Sequence, residues 1–243
     1  MKAIVLAAGY ATRLYPLTIN KPKALLEVGG QTILDFVVSE IVTIPEIDEI
    51  AIVTNARFYE TFEEWNKSAD YGVKITVIND NTDSDDNKLG AIGDMKYTID
   101  KLKLDDDLLV MASDNIFTFR LKDFYDKYKE LDEDIILIKE IESESDLKRM
   151  ANVVTDENGK VIKMVEKPPV PISKTAAYAS YIYKKETLPL INRYLAEGNN
   201  PDAPGFFPSW LINHKDLYTY TFTGECYDIG TPEAYAEVCE LYK

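Results

Sequence analysis

Strand-like and helix-like hydrophobic periods alternate through the first half of this 243-residue chain, and that rhythm constrains the fold more than any other feature. Ala3 to Ala8 is a short continuous apolar run, the pattern of a strand covered on both faces. Thr32 to Val42 carries helical spacing through Ile33, Phe36, Val37 and Ile41. Glu49 to Thr54 reads as a strand, Phe58 to Ser68 as a helix, and Val73 to Ile78 as a strand. Gly90 to Leu102 is helical again, and Leu108 to Ala112 is an apolar strand ending in Ser113-Asp114-Asn115. The alternation predicts crossover connections and an α/β fold, with three layers around a mixed, mostly parallel central sheet. Ligands of such sheets collect beyond the carboxyl ends of the strands. Ala8-Gly9 and Ser113-Asp114 both lie at such ends.

The second half is richer in strands: Asp134 to Lys139, Ala151 to Thr155, Val161 to Val165 and Ala177 to Tyr183. Asp156-Glu157-Asn158-Gly159 is a hairpin turn signal, with Gly159 free to take positive φ. Prolines from Pro189 to Pro208 punctuate helical pieces, and Pro232 to Tyr242 reads as a closing helix. No repeat or linker interrupts the chain. The expectation is one domain over 1–243, with a front half over 1–118 and a second half over 119–243.

Composition removes several functions. With 46% hydrophobic residues the chain can fill a core, which excludes disorder. A net charge of −15 argues against nucleic acid or an anionic membrane as partner. Cys226 and Cys239 fit neither a zinc spacing nor a disulfide framework and read as reduced thiols. The apolar run at Ala3–Ala8 is too short for a signal peptide, and no run approaches a membrane span, so a cytoplasmic protein is expected.

The charge balance is broken locally. From Met1 to Gly30 the chain holds Lys2, Arg13, Lys21 and Lys23 against Glu27 alone. Within it, a strand ends in Leu6-Ala7-Ala8-Gly9, where small residues let a ligand approach the backbone. The loop through Thr12 offers N–H groups to an anion, Arg13 a planar fork for phosphate oxygens, and Lys23 a compact charge. Neither the P-loop nor the G-x-G-x-x-G fingerprint is present.

The stretch Leu6-Ala-Ala-Gly9-Tyr-Ala-Thr12-Arg13-Leu14, followed by Lys21-Pro22-Lys23, resembles the signature of the sugar-phosphate nucleotidyltransferases. Further matches follow in that family's order across nearly the whole chain. Leu89-Gly90-Ala91 resembles the nucleobase segment, and Ser113-Asp114-Asn115-Ile116-Phe117 the aspartate segment that holds magnesium. Asn158-Gly159 with Glu166-Lys167-Pro168 resembles the hairpin and E-K-P of the acceptor site. Tyr227-Asp228-Ile229-Gly230-Thr231 resembles the segment that supplies a second metal carboxylate.

The resemblance implies a Rossmann-like, GT-A-like nucleotidyltransferase fold. It also implies joining of a nucleoside triphosphate to a sugar 1-phosphate, giving a nucleotide sugar and pyrophosphate. Arg13 and Lys23 would be catalytic; Leu6, Ala7, Ala8, Gly9, Thr12, Leu89, Gly90 and Ala91 would bind the nucleotide. Ala151, Glu166, Lys167 and Ser180 would bind the acceptor, and Asp114 and Asp228 would hold Mg²⁺. Because two anions must meet, charge neutralisation is the chemical task. The acceptor phosphate is already ionised, so no general base is needed, and His214 is expected at the surface or a helix end. The family often forms dimers or tetramers, so a homo-oligomer is one option. The chain stops soon after Asp228, which suggests a monofunctional enzyme without an appended acyltransferase domain.

Departures cluster around the acceptor. The family usually has glycine at Ala11, Ala151 and Ser180, and Asp202-Ala-Pro-Gly205 replaces a more acidic segment. A cytidylyltransferase for a non-sugar phosphate such as phosphocholine is the alternative reading. A glycosyltransferase would use D-x-D instead of Ser113-Asp114-Asn115. A non-catalytic binding module would lack at least one of Arg13, Lys23, Asp114 and Asp228. The acidic run Asp83–Asn87 mimics an EF-hand start but has Lys88 at the glycine position and Asp94 at the glutamate position. Tyr178, Tyr181 and Tyr183 read as core or pocket lining.

Overall fold

The computed structural model describes residues 1–243. The elements run β1 (Lys2–Leu6), β2 (Glu27–Val28), β3 (Gln31–Thr32), α1 (Ile33–Ile41), β4 (Glu49–Thr54), α2 (Tyr59–Ser68), β5 (Lys74–Asn79) and α3 (Ala91–Leu102). They continue with β6 (Leu108–Ala112), β7 (Asn115–Phe117), α4 (Leu121–Leu131), β8 (Asp134–Glu140), α5 (Glu144–Leu147), β9 (Ala151–Thr155), β10 (Val161–Val165) and β11 (Thr175–Tyr183). The last are α6 (Leu188–Ala196), α7 (Phe206–Leu211), β12 (Leu217–Thr221), β13 (Cys226–Asp228) and α8 (Pro232–Leu241). The chain forms two compact units: Met1–Lys88 with Ala112–Lys122 and Gly224–Lys243, and Leu89–Met111 with Asp123–Thr223.

In the first unit, β1, β4 and β5 are parallel, with Ile4 opposite Ala51 and Ala51 opposite Thr76. The apolar run expected as a strand to Ala8 is a strand only to Leu6, and its last backbone bond to β4 is from Ala7 N–H to the Val53 carbonyl at 2.8 Å. Asn55 and Thr54 explain why: the Asn55 amide donates to the Ala8 carbonyl at 2.8 Å, and the Thr54 hydroxyl to that of Ala7 at 3.3 Å. Side-chain donors thus replace strand partners and turn the chain toward the following loop. Helix α1 starts at a capping box in which Asp35 N–H donates to Thr32 Oγ1 and Thr32 N–H to Asp35 Oδ2. It buries Ile33, Leu34, Val37, Val38 and Ile41; of the periodic positions expected, Ile33, Val37 and Ile41 are buried, whereas Phe36 is half-buried and Leu34 and Val38 widen the apolar face.

In the second unit the sheet is mixed. β11 pairs antiparallel with β6, β8 and β9, β9 pairs antiparallel with β10, and β12 runs parallel to β8. Gly159 takes φ 79° in the β9–β10 hairpin, as its position predicts. β11 bulges: Ala177 faces Ile138 but Tyr181 faces Ile136, so the strand changes register across Tyr178–Ser180. Tyr181 and Tyr183 are buried and stacked at 5.7 Å, which places them in the core. α4 and β12 were not expected. In α4, Leu121, Phe124, Tyr125 and Tyr128 do lie one face apart and are buried, but its many charges mask the period. No helix is long and apolar enough to cross a membrane.

Candidate functional site

One hydrophobic cluster in the first unit brings the distant motifs together. Leu14, Ile116 and Ile229 are buried in it with Leu26, Val28, Ile33 and Val238. Each is a short step along the chain from a functional candidate: Arg13, Asp114 and Asp228. Burying the apolar neighbours therefore fixes where the polar residues stand. The short β7–β13 pair sets Asp228 opposite Asn115 in register. Ile229 N–H donates to the Asp114 carbonyl at 3.2 Å, and Ser113 N–H to that of Leu6 at 3.2 Å. Thr231 caps α8 just beyond, its hydroxyl accepting from Ala234 N–H at 3.2 Å.

The centre of this arrangement is a shared cation. Lys23 Nζ lies 2.9 Å from Asp114 Oδ2 and 3.5 Å from Asp228 Oδ1, although 91 residues separate Lys23 from Asp114. The lysine side chain is only 12% exposed, whereas Asp228 keeps 68% of its side-chain surface accessible. Desolvation and the neighbouring Asp114 charge push the Asp228 carboxyl above the usual range, while Lys23 and Arg13 pull it back. Water at the open side of Asp228 moderates that push. Arg13 Nη2 lies 3.8 Å from the point a β-carbon on Gly230 would occupy, so the guanidinium borders the same place. The other two front cations are engaged elsewhere: Lys2 pairs with Asp48 at 2.8 Å and Lys21 with Glu27 at 2.9 Å.

The loop carrying Gly9 and Thr12 has open space where a β-carbon on Gly9 would point. Ala11 adopts φ 48° and ψ 43°, the left-handed conformation that suits the glycine usual there. The buried Thr18 hydroxyl donates to the Ala11 carbonyl at 2.8 Å and holds this turn. Ala11→Gly should therefore be neutral or stabilising by up to about 1 kcal/mol, against the usual loss for Ala→Gly. Thermal melting checks it, and a clear drop in melting temperature would contradict it. Asn55, Thr54 and Thr18 escape sequence reading as members of this site. The one available signal is a polar Thr-Asn pair closing an apolar strand.

In the second unit, Glu166 is buried, with 7% of its side chain exposed, and its Oε1 lies 3.7 Å from Lys167 Nζ. Burial raises the Glu166 pKa, and the lysine offsets part of the rise. Lys167 itself takes φ 46°, its N–H bonded to the Met150 carbonyl at 3.2 Å. A non-glycine residue held there stores strain of the kind found at ligand sites. Ala151 and Ser180 are 5% and 6% exposed, so neither side chain projects freely to solvent. Gly90 has φ 78°, and a β-carbon on it would meet the Pro201 carbonyl oxygen at 2.5 Å. Its missing side chain thus has a use within the protein, at the start of α3 beside Leu89 and Ala91. His214 is exposed at the end of α7 and stacked on Trp210 at 3.8 Å, the surface position expected.

Comparisons with known proteins agree with this geometry. The sequence matches the family model described as Nucleotidyl transferase over residues 2–243. It is 29% identical over 239 residues to a Sulfolobus acidocaldarius protein named as a candidate mannose-1-phosphate guanyltransferase, covering 98% of this chain and 62% of that protein. It is 27% identical over 183 residues to a UTP–glucose-1-phosphate uridylyltransferase of Haloferax volcanii, covering 75% of this chain and 72% of the relative. The crystal structure of a UDP-glucose pyrophosphorylase with UDP-glucose shares the fold, with TM-score 0.83 at 22% identity over 99% of this chain and 97% of that one. The chain spans 62–64% of the length of the mannose-1-phosphate guanyltransferases it matches. With the motifs around Arg13, Asp114 and Asp228 gathered on one core of the first unit and the family model matched from Lys2 to Lys243, the chain belongs to the nucleotidyl transferase family.

Proposed function

We propose that this protein joins a nucleoside triphosphate to a sugar 1-phosphate, releasing pyrophosphate and forming a nucleotide sugar. The observation that carries the reading is the Lys23 ammonium shared by Asp114 and Asp228, with Arg13 alongside. Two hard carboxylates that already share a positive charge suit a divalent ion such as Mg²⁺. The protein has no cluster of three or more His, Cys, Asp or Glu side chains arranged for a metal. The remaining ligands would therefore be substrate oxygens and water. Bound there, Mg²⁺ would neutralise phosphate charge and orient an in-line displacement. Asp114 and Asp228 would hold it, and Lys23 would turn to the triphosphate. Arg13 would take the growing charge on the leaving pyrophosphate, and the N–H groups from Gly9 to Thr12 would seat phosphate oxygens. Names of the relatives favour a sugar phosphate as acceptor.

Lys167 would hold the acceptor phosphate as a point charge. Lys167→Ala should then raise the acceptor KM by about 10- to 100-fold, the worth of a charge-assisted bond, and leave the NTP KM within about twofold. Equal loss for both substrates would remove the assignment. The reading as a whole is tested by pyrophosphate release across the common NTPs and a panel of phosphate esters, with and without Mg²⁺. Turnover with a hexose 1-phosphate is the expected result. Turnover confined to CTP with phosphocholine would replace it with the cytidylyltransferase reading.

A further inference from the structure

The segment Pro201–Gly205, which stands in place of a more acidic stretch, has a use that its sequence does not declare. It is fixed at both ends by backbone and side-chain bonds. Ala91 N–H donates to the Asp202 carbonyl and Ile92 N–H to that of Pro201, both at 2.9 Å. Asp202 N–H donates to Asn200 Oδ1 at 2.9 Å, and the Tyr194 hydroxyl to the Asn200 carbonyl at 2.5 Å. At the far end, Phe206 N–H donates to Ala203 at 3.2 Å, and the Ser209 hydroxyl to the Gly205 carbonyl at 2.7 Å. Ala203 is buried beneath it. The segment is a wall rather than a free loop.

Gly205 is the part of that wall against which Glu166 rests. A β-carbon on Gly205 would overlap Glu166 Oε2, stand 3.1 Å from Glu166 Cδ, and press on the Ala151 β-carbon at 3.0 Å. The α-carbon at 205 is not in the left-handed region, φ being −74°, so alanine would meet no backbone obstacle. What glycine provides here is room. The methyl of Ala151 and the Glu166 carboxylate together fill the space that a side chain at 205 would need.

We propose that Gly205 is a positioning residue for the acceptor: held by the Pro201–Gly205 wall, it sets where the Glu166 carboxylate stands. This rests on the reading of Glu166 as an acceptor-binding group. A carboxylate held against a fixed backbone presents its free lone pairs in one direction, which costs an acceptor less ordering when it donates hydroxyl hydrogens. A methyl at 205 would swing the carboxylate away without touching the acceptor itself.

A double-mutant cycle tests this, using Gly205→Ala, Glu166→Ala, the pair and the parent protein. Gly205→Ala should raise the acceptor KM by about 10-fold or more while the NTP KM stays within about twofold. In the Glu166→Ala background the same change should add far less, because the overlap with the carboxylate is gone and only the 3.0 Å contact with the Ala151 methyl remains. Melting temperatures should follow the pattern, with Gly205→Ala costing less when Glu166 is already alanine. If Gly205→Ala alone does not fold, the pair should, and failure of both would overturn the proposal. Equal effects of Gly205→Ala in both backgrounds, or equal loss for both substrates, would also overturn it. An unchanged acceptor KM in Glu166→Ala would instead overturn the acceptor reading of Glu166, and this proposal with it.

Discussion

Asp114→Asn and Asp228→Asn should each lower kcat by about 10³-fold or more, the scale on which a main charge-stabilising group contributes. Each change removes one negative charge from a pair that shares Lys23, at 2.9 and 3.5 Å. Where two anions must be brought together, a site with half its carboxylate charge holds a divalent ion weakly and orients the triphosphate poorly. Folding should be nearly untouched. In either variant the largely buried Lys23 keeps one carboxylate partner, and because Asp114 and Asp228 are 36% and 68% exposed, losing one pair costs only about 1 kcal/mol. Asparagine also fits the same space, and the neighbouring Ile116 and Ile229 still anchor both segments. Steady-state kinetics with melting curves on the same samples separates the two effects. Near-normal kcat in either variant would remove that residue from the metal assignment.

The second large effect concerns stability. Asp134 is fully buried, and its carboxylate accepts from Lys184 N–H at 2.6 Å, from the Thr187 hydroxyl at 2.6 Å, and from Lys215 Nζ at 3.1 Å. It ties the start of β8 to the turn after β11. Asp134→Ala would leave the Lys184 N–H and the Thr187 hydroxyl hydrogen without their acceptor and remove the carboxylate partner of Lys215, which would keep only the Thr187 hydroxyl at 2.9 Å, costing about 3–5 kcal/mol. Against a total of about 5–15 kcal/mol, that is a severe loss, worth a fall of roughly 10 °C in melting temperature. Asp134→Asn keeps the size and one acceptor and should cost less. Burial raises the Asp134 pKa, and its three donors only partly offset this. The folded pKa thus lies above the unfolded one. The stability linked to this proton is present at pH below the unfolded value and lost as pH rises through the folded value. Asp134→Asn should flatten that part of the stability–pH curve. An Asp134→Ala protein melting like the parent would refute the account of this knot.

The legible parts of the molecule were those in which local pattern and tertiary role agree. The continuous apolar β1 and the periodic face of α1 announce themselves because burial sets their period. Asp114 and Asp228 could be singled out because each sits in a short motif, and the structure shows the physical content of those motifs in Ile116 and Ile229. What sequence could not reveal depends on contacts far apart in the chain. Asn55 reaches Ala8 across 47 positions, and Gly205 touches Glu166 through a wall whose bonds run to α3. Gly90 illustrates the ambiguity: a glycine expected to admit a nucleobase is also required by the backbone of Pro201. β1 ends before its apolar run does, because Thr54 and Asn55 side chains take up the Ala7 and Ala8 carbonyls where hydrophobicity alone would continue the ladder.

In the proposed reaction a phosphate oxygen of the sugar 1-phosphate bonds to the α-phosphorus of the nucleoside triphosphate, the bond to the β-phosphate breaks, and the whole nucleoside monophosphate group passes to the sugar phosphate as pyrophosphate leaves. Phosphorus NMR of the protein incubated with Mg²⁺, a hexose 1-phosphate and each NTP in turn reads the bonds directly. For at least one NTP the spectrum should show a new pyrophosphate bridge joining nucleoside and sugar, together with one equivalent of free pyrophosphate. Release of orthophosphate with no bridged product, or an unchanged spectrum from folded protein with every NTP and hexose 1-phosphate, would contradict it.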